Sequence, residues 1–196
     1  MTQGPMPDHL GDPSNEVPVL NIPNILTVAR LLMVPILGYL VLAVDQTTNA
    51  QWASATVFLI AAVTDLVDGV WARRYGLVTN FGKIADPIAD KALIGTALVA
   101  LSIQGEISWW VTGIIIFREV AITFLRFWVI KHGVIPASRG GKAKTVSQIV
   151  AIVAFLIPVH GWMDMVAQMS LGVALALTIT TGIDYVIKAR MRPQAS

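Results

Sequence analysis

The chain has 196 residues, of which 55% are hydrophobic and only 13% charged, against roughly 25% charged in an ordinary soluble domain. That composition excludes a water-soluble globule, and the absence of cysteine excludes disulfides, thiol nucleophiles and cysteine-based metal sites. A formal net charge of +2 decides nothing until the charges are placed along the chain.

Residues 1–20 hold Pro5, Pro7, Pro13 and Pro18 among Asp8, Asp12 and Glu16. They are too polar and proline-rich to bury a core, and a flexible cytoplasmic tail is expected. No Lys or Arg precedes an apolar run there, so the segment does not resemble a cleaved secretory signal. Six apolar segments follow, at 25–44, 50–72, 84–103, 107–130, 145–159 and 166–187, on the scale of the roughly 20 residues a helical crossing takes. The last two read most clearly, because 145–163 and 165–183 contain no Asp, Glu, Lys or Arg. The segments predict an all-α integral membrane protein whose six-helix membrane domain occupies 21–192, with a short C-terminal tail at 193–196.

The connecting loops sort by charge, and sidedness follows Lys and Arg. Asp45, Glu106, His160 and Asp164 fall on one side. Arg73, Arg74, Lys83, Lys131, Arg139, Lys142, Lys144, Lys188, Arg190 and Arg192 fall on the other. Six transmembrane helices with both termini in the cytoplasm are therefore expected.

Ionisable groups within apolar spans are costly, and their default reading is functional. Here they form a set. The chain reads Asp65-x2-Asp68-Gly69-x2-Ala72-Arg73, then eight residues to Gly82, three to Asp86 and three to Asp90. At the helical repeat, Asp65, Asp68, Gly69 and Ala72 lie within roughly 100° of one another. Asp86 and Asp90, four apart, also share a face. The short loop between spans two and three makes them antiparallel neighbours, so the acidic faces can meet.

Four carboxylates cannot all stay ionised and unpaired in a low dielectric. All-oxygen ligands suit hard divalent ions such as Mg²⁺, with Mn²⁺ as a substitute. Two such ions flanking a phosphorus would stabilise the entering and leaving oxygens of a displacement. Counted from Arg73 at the helical rise, Asp68 lies about 7 Å and Asp65 about 12 Å below the cytoplasmic edge. A recessed site reachable from the cytosol follows. Gly69 and Ala72 remove bulk from the same face. Asp86 before Pro87 also reads as an N-cap with proline at the first helical position.

This run of aspartates resembles the signature of the CDP-alcohol phosphotransferases, integral membrane enzymes of phospholipid synthesis, and every fixed position is filled. The resemblance implies six helices around a polar cavity, two Mg²⁺ ions and a homodimer. It makes Asp65, Asp68 and Asp86 metal ligands, and Asp90 both a ligand and the base for the acceptor hydroxyl. It also sets Gly69, Ala72, Arg73, Asn24 and Thr27 against the CDP-lipid. Further runs resemble the bacterial branch that transfers a phosphatidyl group from CDP-diacylglycerol to sn-glycerol 3-phosphate with release of CMP. They are Asn21-Ile22-Pro23-Asn24-x2-Thr27-x2-Arg30, Phe117-Arg118-Glu119, and Pro136-Ala137-Ser138-x2-Gly141-Lys142-x-Lys144-Thr145-x2-Gln148. Arg139-Gly140 departs from that pattern, where a more apolar pair is expected. A multi-pass protein of the bacterial inner membrane with its site facing the cytoplasm is implied.

The acceptor side has independent physical support. Arg118 and Arg126 lie inside span four, and buried guanidinium groups require an anionic partner, either an acceptor phosphate or a carboxylate such as Glu119. Lys142, Lys144 and Thr145 stand at the start of span five, where helix N-terminal amides favour anions. Inositol 1-phosphate is the alternative acceptor, since it would use the same cations. A divalent-cation transporter is the alternative of another class, although the aspartates gather near one membrane face and form no path across it. His9, His132 and His160 have no metal spacing. Trp109, Trp110, Trp128 and Trp162 read as interface aromatics, Asp184 reads as a residue near a helix end, and nothing points to nucleic acid.

Overall fold

The computed structural model describes residues 21–75, 79–130 and 139–190; the two expected tails lie outside them, as do His9 and His132. Six helices follow in order: α1 (Ile22–Leu42), α2 (Thr48–Tyr75), α3 (Asn80–Ile103), α4 (Trp109–Ile130), α5 (Arg139–Leu156) and α6 (Trp162–Arg190). Each overlaps one of the six expected apolar segments, and the described residues contain no strand.

Helix starts follow local capping chemistry. Asn21 caps α1, its side chain accepting from the Asn24 N–H at 3.0 Å, with Pro23 in the first turn where its missing N–H costs nothing. Thr79 caps α3 by accepting from the Gly82 N–H at 3.0 Å. This corrects the expectation that Asp86 caps that helix. The helix begins about two turns earlier, and Pro87 lies inside it, leaving the carbonyl one turn back without its usual donor. At the far end of α3, Gly105 adopts φ 82°, a left-handed conformation that glycine reaches without a Cβ clash, and the chain turns into α4.

Packing places small residues where helices cross. Ala61, Ala89, Ala97, Ala100, Ala151 and Ala174 are fully buried, and small side chains let backbones approach closely within a bilayer. Phe58, Leu37, Leu93, Leu98, Ile115 and Ile152 fill the remaining core. Helix α1 packs on both α2 and α3, and α5 packs on α6. Ser102 of α3 and Thr112 of α4 share a hydroxyl hydrogen bond at 2.7 Å.

The exterior is apolar as well. Leu32, Phe117, Phe124, Met165 and Met169 face outward, which a lipid-immersed surface accommodates and water would penalise. Three helical stretches, Ile22–Leu42, Thr48–Gly69 and Trp162–Tyr185, are long and apolar enough to cross a membrane. In the other three helices the apolar run is interrupted or short. Asp86, Asp90 and Lys91 lie within α3, Arg118 and Glu119 within α4, and the apolar run of α5 is confined to Ala143–Leu156.

Candidate active site

Two groups of charged side chains meet inside the bundle. The first lies where α1 crosses α2 and α3. Arg30 of α1 is fully buried and spreads its guanidinium across both acids of α2, donating to Asp65 at 2.6 Å and also to Asp68. One helical turn earlier, the Thr27 hydroxyl contacts an Asp86 carboxylate oxygen. Asn24 accepts from the Thr79 hydroxyl at 3.0 Å. A single face of α1 therefore docks against the acidic faces of its two neighbours, because positions three and six residues apart fall on one side of a helix.

Asp65 lies within electrostatic range of Asp90, Asp68 and Asp86, so the four aspartates share one region of the bundle. One guanidinium cannot neutralise four carboxylates in a low dielectric, and the all-oxygen donor set suits a hard divalent cation. Arg30 is itself a stand-in positive charge between two of them. Among the described residues, no three acidic or histidine side chains converge tightly enough to close on an ion in this arrangement. The reason is visible in their contacts: Asp65 and Asp68 turn to Arg30, and Asp86 turns to Thr27.

Gly82 supplies the clearance that this junction needs. A Cβ there would stand 3.0 Å from Asn24 Oδ1, 3.4 Å from Thr79 Oγ1 and 3.6 Å from Asp86 Oδ2. Gly82→Val is expected to cost about 1–3 kcal/mol through overpacking. It should also lower turnover roughly 10- to 100-fold by moving Asp86, since an ångström of misplacement costs about that much. Thermal unfolding and CMP release check the two effects separately.

The second group borders a cleft between α3, α4 and α5. Asp90, Lys91, Glu119, Lys144, Thr145 and Gln148 supply its polar lining. Glu119 is the hub: one of its oxygens accepts from Lys144 and from Arg118, the latter at 3.2 Å. Arg118 reaches further to the Thr181 hydroxyl of α6 at 2.7 Å, and its buried Nε has no hydrogen-bond partner. The Nε2 of Gln148, also buried, has none either. Unpartnered buried donors are costly to leave unmade; Gln148 lines the cleft, whereas Arg118 Nε lies beside Gly182 of α6.

Asp90 belongs to both groups. It faces Lys91, Glu119, Lys144 and Arg30 electrostatically while sharing the acidic face of α3 with Asp86. Of the expected acceptor residues, Lys144 and Thr145 line this cleft, and Arg118 is tied to it through Glu119. The side chains of Arg126 and Lys142, like those of Ala72 and Arg73, lie outside the described residues. Asn24 and Thr27 sit against Thr79 and Asp86, tying α1 to α3. His160 and Trp109, Trp110 and Trp162 are exposed, far from any metal-like grouping.

Arg30 and Gln148 carry no expected role, although each stands in a quoted motif, and Glu119 is expected only as a carboxylate partner for Arg118. A lone arginine inside an apolar span demands an anionic partner, and that rule applied to Arg30 would have directed attention to Asp65 and Asp68. No comparable signal in the sequence singles out Gln148.

Comparison with known proteins gives the chain its relatives. The sequence profile of the family described as CDP-alcohol phosphatidyltransferase matches residues 20–180. A Mycobacterium tuberculosis H37Rv protein named "Probable phosphatidylglycerophosphate synthase" is 46% identical over 172 residues, covering 87% of this chain and 82% of that one. A Bacillus subtilis 168 protein named CDP-diacylglycerol--glycerol-3-phosphate 3-phosphatidyltransferase is 38% identical over 185 residues, covering 87% of this chain and 95% of its own. A Shigella flexneri serotype 5b protein of the same name is 36% identical over 176 residues, with 87% and 95% covered.

Proposed function

The chain belongs to the CDP-alcohol phosphatidyltransferase family, and from that membership we propose that it transfers the phosphatidyl group of CDP-diacylglycerol to sn-glycerol 3-phosphate, releasing CMP. One observation carries the reading. An acidic pole and a cationic cleft stand side by side, with Asp90 on their border. A reaction between a diphosphate donor and a phosphorylated acceptor calls for that pairing. The names of the relatives in Bacillus subtilis and Shigella flexneri support the same acceptor.

The donor's diphosphate lies at the acidic pole, its acyl chains in lipid and its nucleotide toward Gly69, Ala72, Arg73, Asn24 and Thr27. Asp65, Asp68, Asp86 and Asp90 would hold two divalent ions, Mg²⁺ or Mn²⁺ in its place, whose charge would neutralise the diphosphate and the departing CMP. Arg118, Lys144 and Thr145, with Arg126 and Lys142, orient the acceptor phosphate, so Glu119 must share its two cations with the ligand. Asp90 takes the proton from the acceptor hydroxyl. The freed oxygen attacks the β-phosphorus, the bond from that phosphorus to CMP breaks, and CMP leaves.

The charge sorting of the loops supports six crossings with both termini and the site on the cytoplasmic side of a bacterial inner membrane. The family resemblance also implies a homodimer, which crosslinking in native membranes tests. For the reaction, purified protein in detergent with CDP-diacylglycerol and Mg²⁺ is given labelled glycerol 3-phosphate, inositol 1-phosphate or serine. Label entering the lipid extract from glycerol 3-phosphate alone, with equal CMP released, is expected. Preferential incorporation of inositol 1-phosphate or serine would overturn the acceptor assignment.

A further inference from the structure

Arg30 is buried more completely than the aspartates it bridges. Its side chain has no exposure, against 29% for Asp65 and 4% for Asp68, and its Nε has no hydrogen-bond partner. A guanidinium in a protein interior is stable only while its charge is met. Here the two α2 acids meet it, and it in turn meets them. The same two carboxylates are the ones that the proposed reaction needs for divalent cations, and a carboxylate oxygen fully engaged by a guanidinium has less to offer an ion.

We infer that Arg30 is a built-in counter-ion of the acidic pole, a positioning residue that holds Asp65 and Asp68 together before metal arrives and yields at least one of them when it binds. The inference rests on the metal reading above. Its place in the fold suits the task. Arg30 sits on α1, one turn beyond Thr27, whose hydroxyl touches Asp86, so the same helix face touches acids of both α2 and α3. Without the arginine, four carboxylates would face one another with no internal charge between α1 and α2. The empty pole would then repel itself, while a divalent ion would find no competitor there. The arginine thus trades metal affinity for a folded metal-free state.

The test uses full-length protein in detergent, stripped with chelator and titrated with Mg²⁺ alone, followed by calorimetry and thermal unfolding. Arg30→Gln is expected to bind Mg²⁺ about tenfold more tightly than wild type, to unfold at a lower temperature in chelator, and to recover most of that loss at saturating Mg²⁺. Arg30→Lys keeps the charge but not the two-acid bridge, and should fall between the two. It also serves if the glutamine variant does not survive chelation. A residue that merely glued α1 to α2 would lower thermal stability without tightening Mg²⁺ binding, so unchanged or weaker affinity in these variants overturns the inference. Wild-type protein that binds no Mg²⁺ would instead overturn the metal reading and this inference with it.

Discussion

Asp90→Asn is expected to reduce CMP release by about 10²- to 10⁴-fold, the range that a positioned general base contributes. Asparagine has nearly the same shape, so the cleft among Lys91, Glu119, Lys144, Thr145 and Gln148 should keep its outline and the protein its melting temperature. What disappears is the proton acceptor at the one position shared by the acidic pole and the cationic cleft. Binding of the CDP-lipid, followed by its protection against thermal unfolding, should largely persist. Turnover at the wild-type rate would remove Asp90 from the chemistry.

Asp68→Ala should damage both activity and folding. Asp68 is almost fully buried against a fully buried Arg30, and removing one partner of a buried ion pair costs about 3–5 kcal/mol. The lower end applies, because Asp65 still accepts from the same guanidinium at 2.6 Å. The double variant Arg30→Met/Asp68→Ala removes both charges of one pair but leaves Asp65 without its guanidinium partner, so it should not regain the stability that Asp68→Ala loses. Activity should stay lost in the double variant, because a donor carboxylate is missing from the acidic pole. Chemical unfolding and CMP release on wild type, Arg30→Met, Asp68→Ala and the double variant separate the two contributions as a double-mutant cycle.

Much of this architecture is legible in the sequence because a bilayer simplifies the problem. Apolar length announces the helices, and a carboxylate within such a length announces itself as exceptional. The i, i+3 spacing of Asp65 and Asp68 and the i, i+4 spacing of Asp86 and Asp90 set each pair on one helix face, and the α2–α3 loop brings the faces together. The start of α3 is not legible in this way. Asp86-Pro87 has the familiar form, yet Thr79 wins by accepting from the Gly82 N–H.

Pairings across helices leave no such mark. Arg30 meets Asp65 and Asp68 over separations of 35 and 38 residues, and nothing in local spacing selects those partners. Lys144 and Glu119 are 25 residues apart. The lysine reads from the sequence as a cation for a ligand, while the structure shows it already bound to an internal carboxylate. Both poles of the site thus carry an internal counter-ion, Arg30 among the acids and Glu119 among the cations. Helix packing, which decides which faces touch, is what supplies them.

Crystals of the protein grown in a lipid phase with CDP-diacylglycerol and Mn²⁺ provide the most direct measurement, through the anomalous scattering of manganese. Two peaks among Asp65, Asp68, Asp86 and Asp90, with Arg30 drawn back from at least one carboxylate, are the predicted result. Manganese absent from that junction while the CDP-lipid is bound beside it would contradict the account.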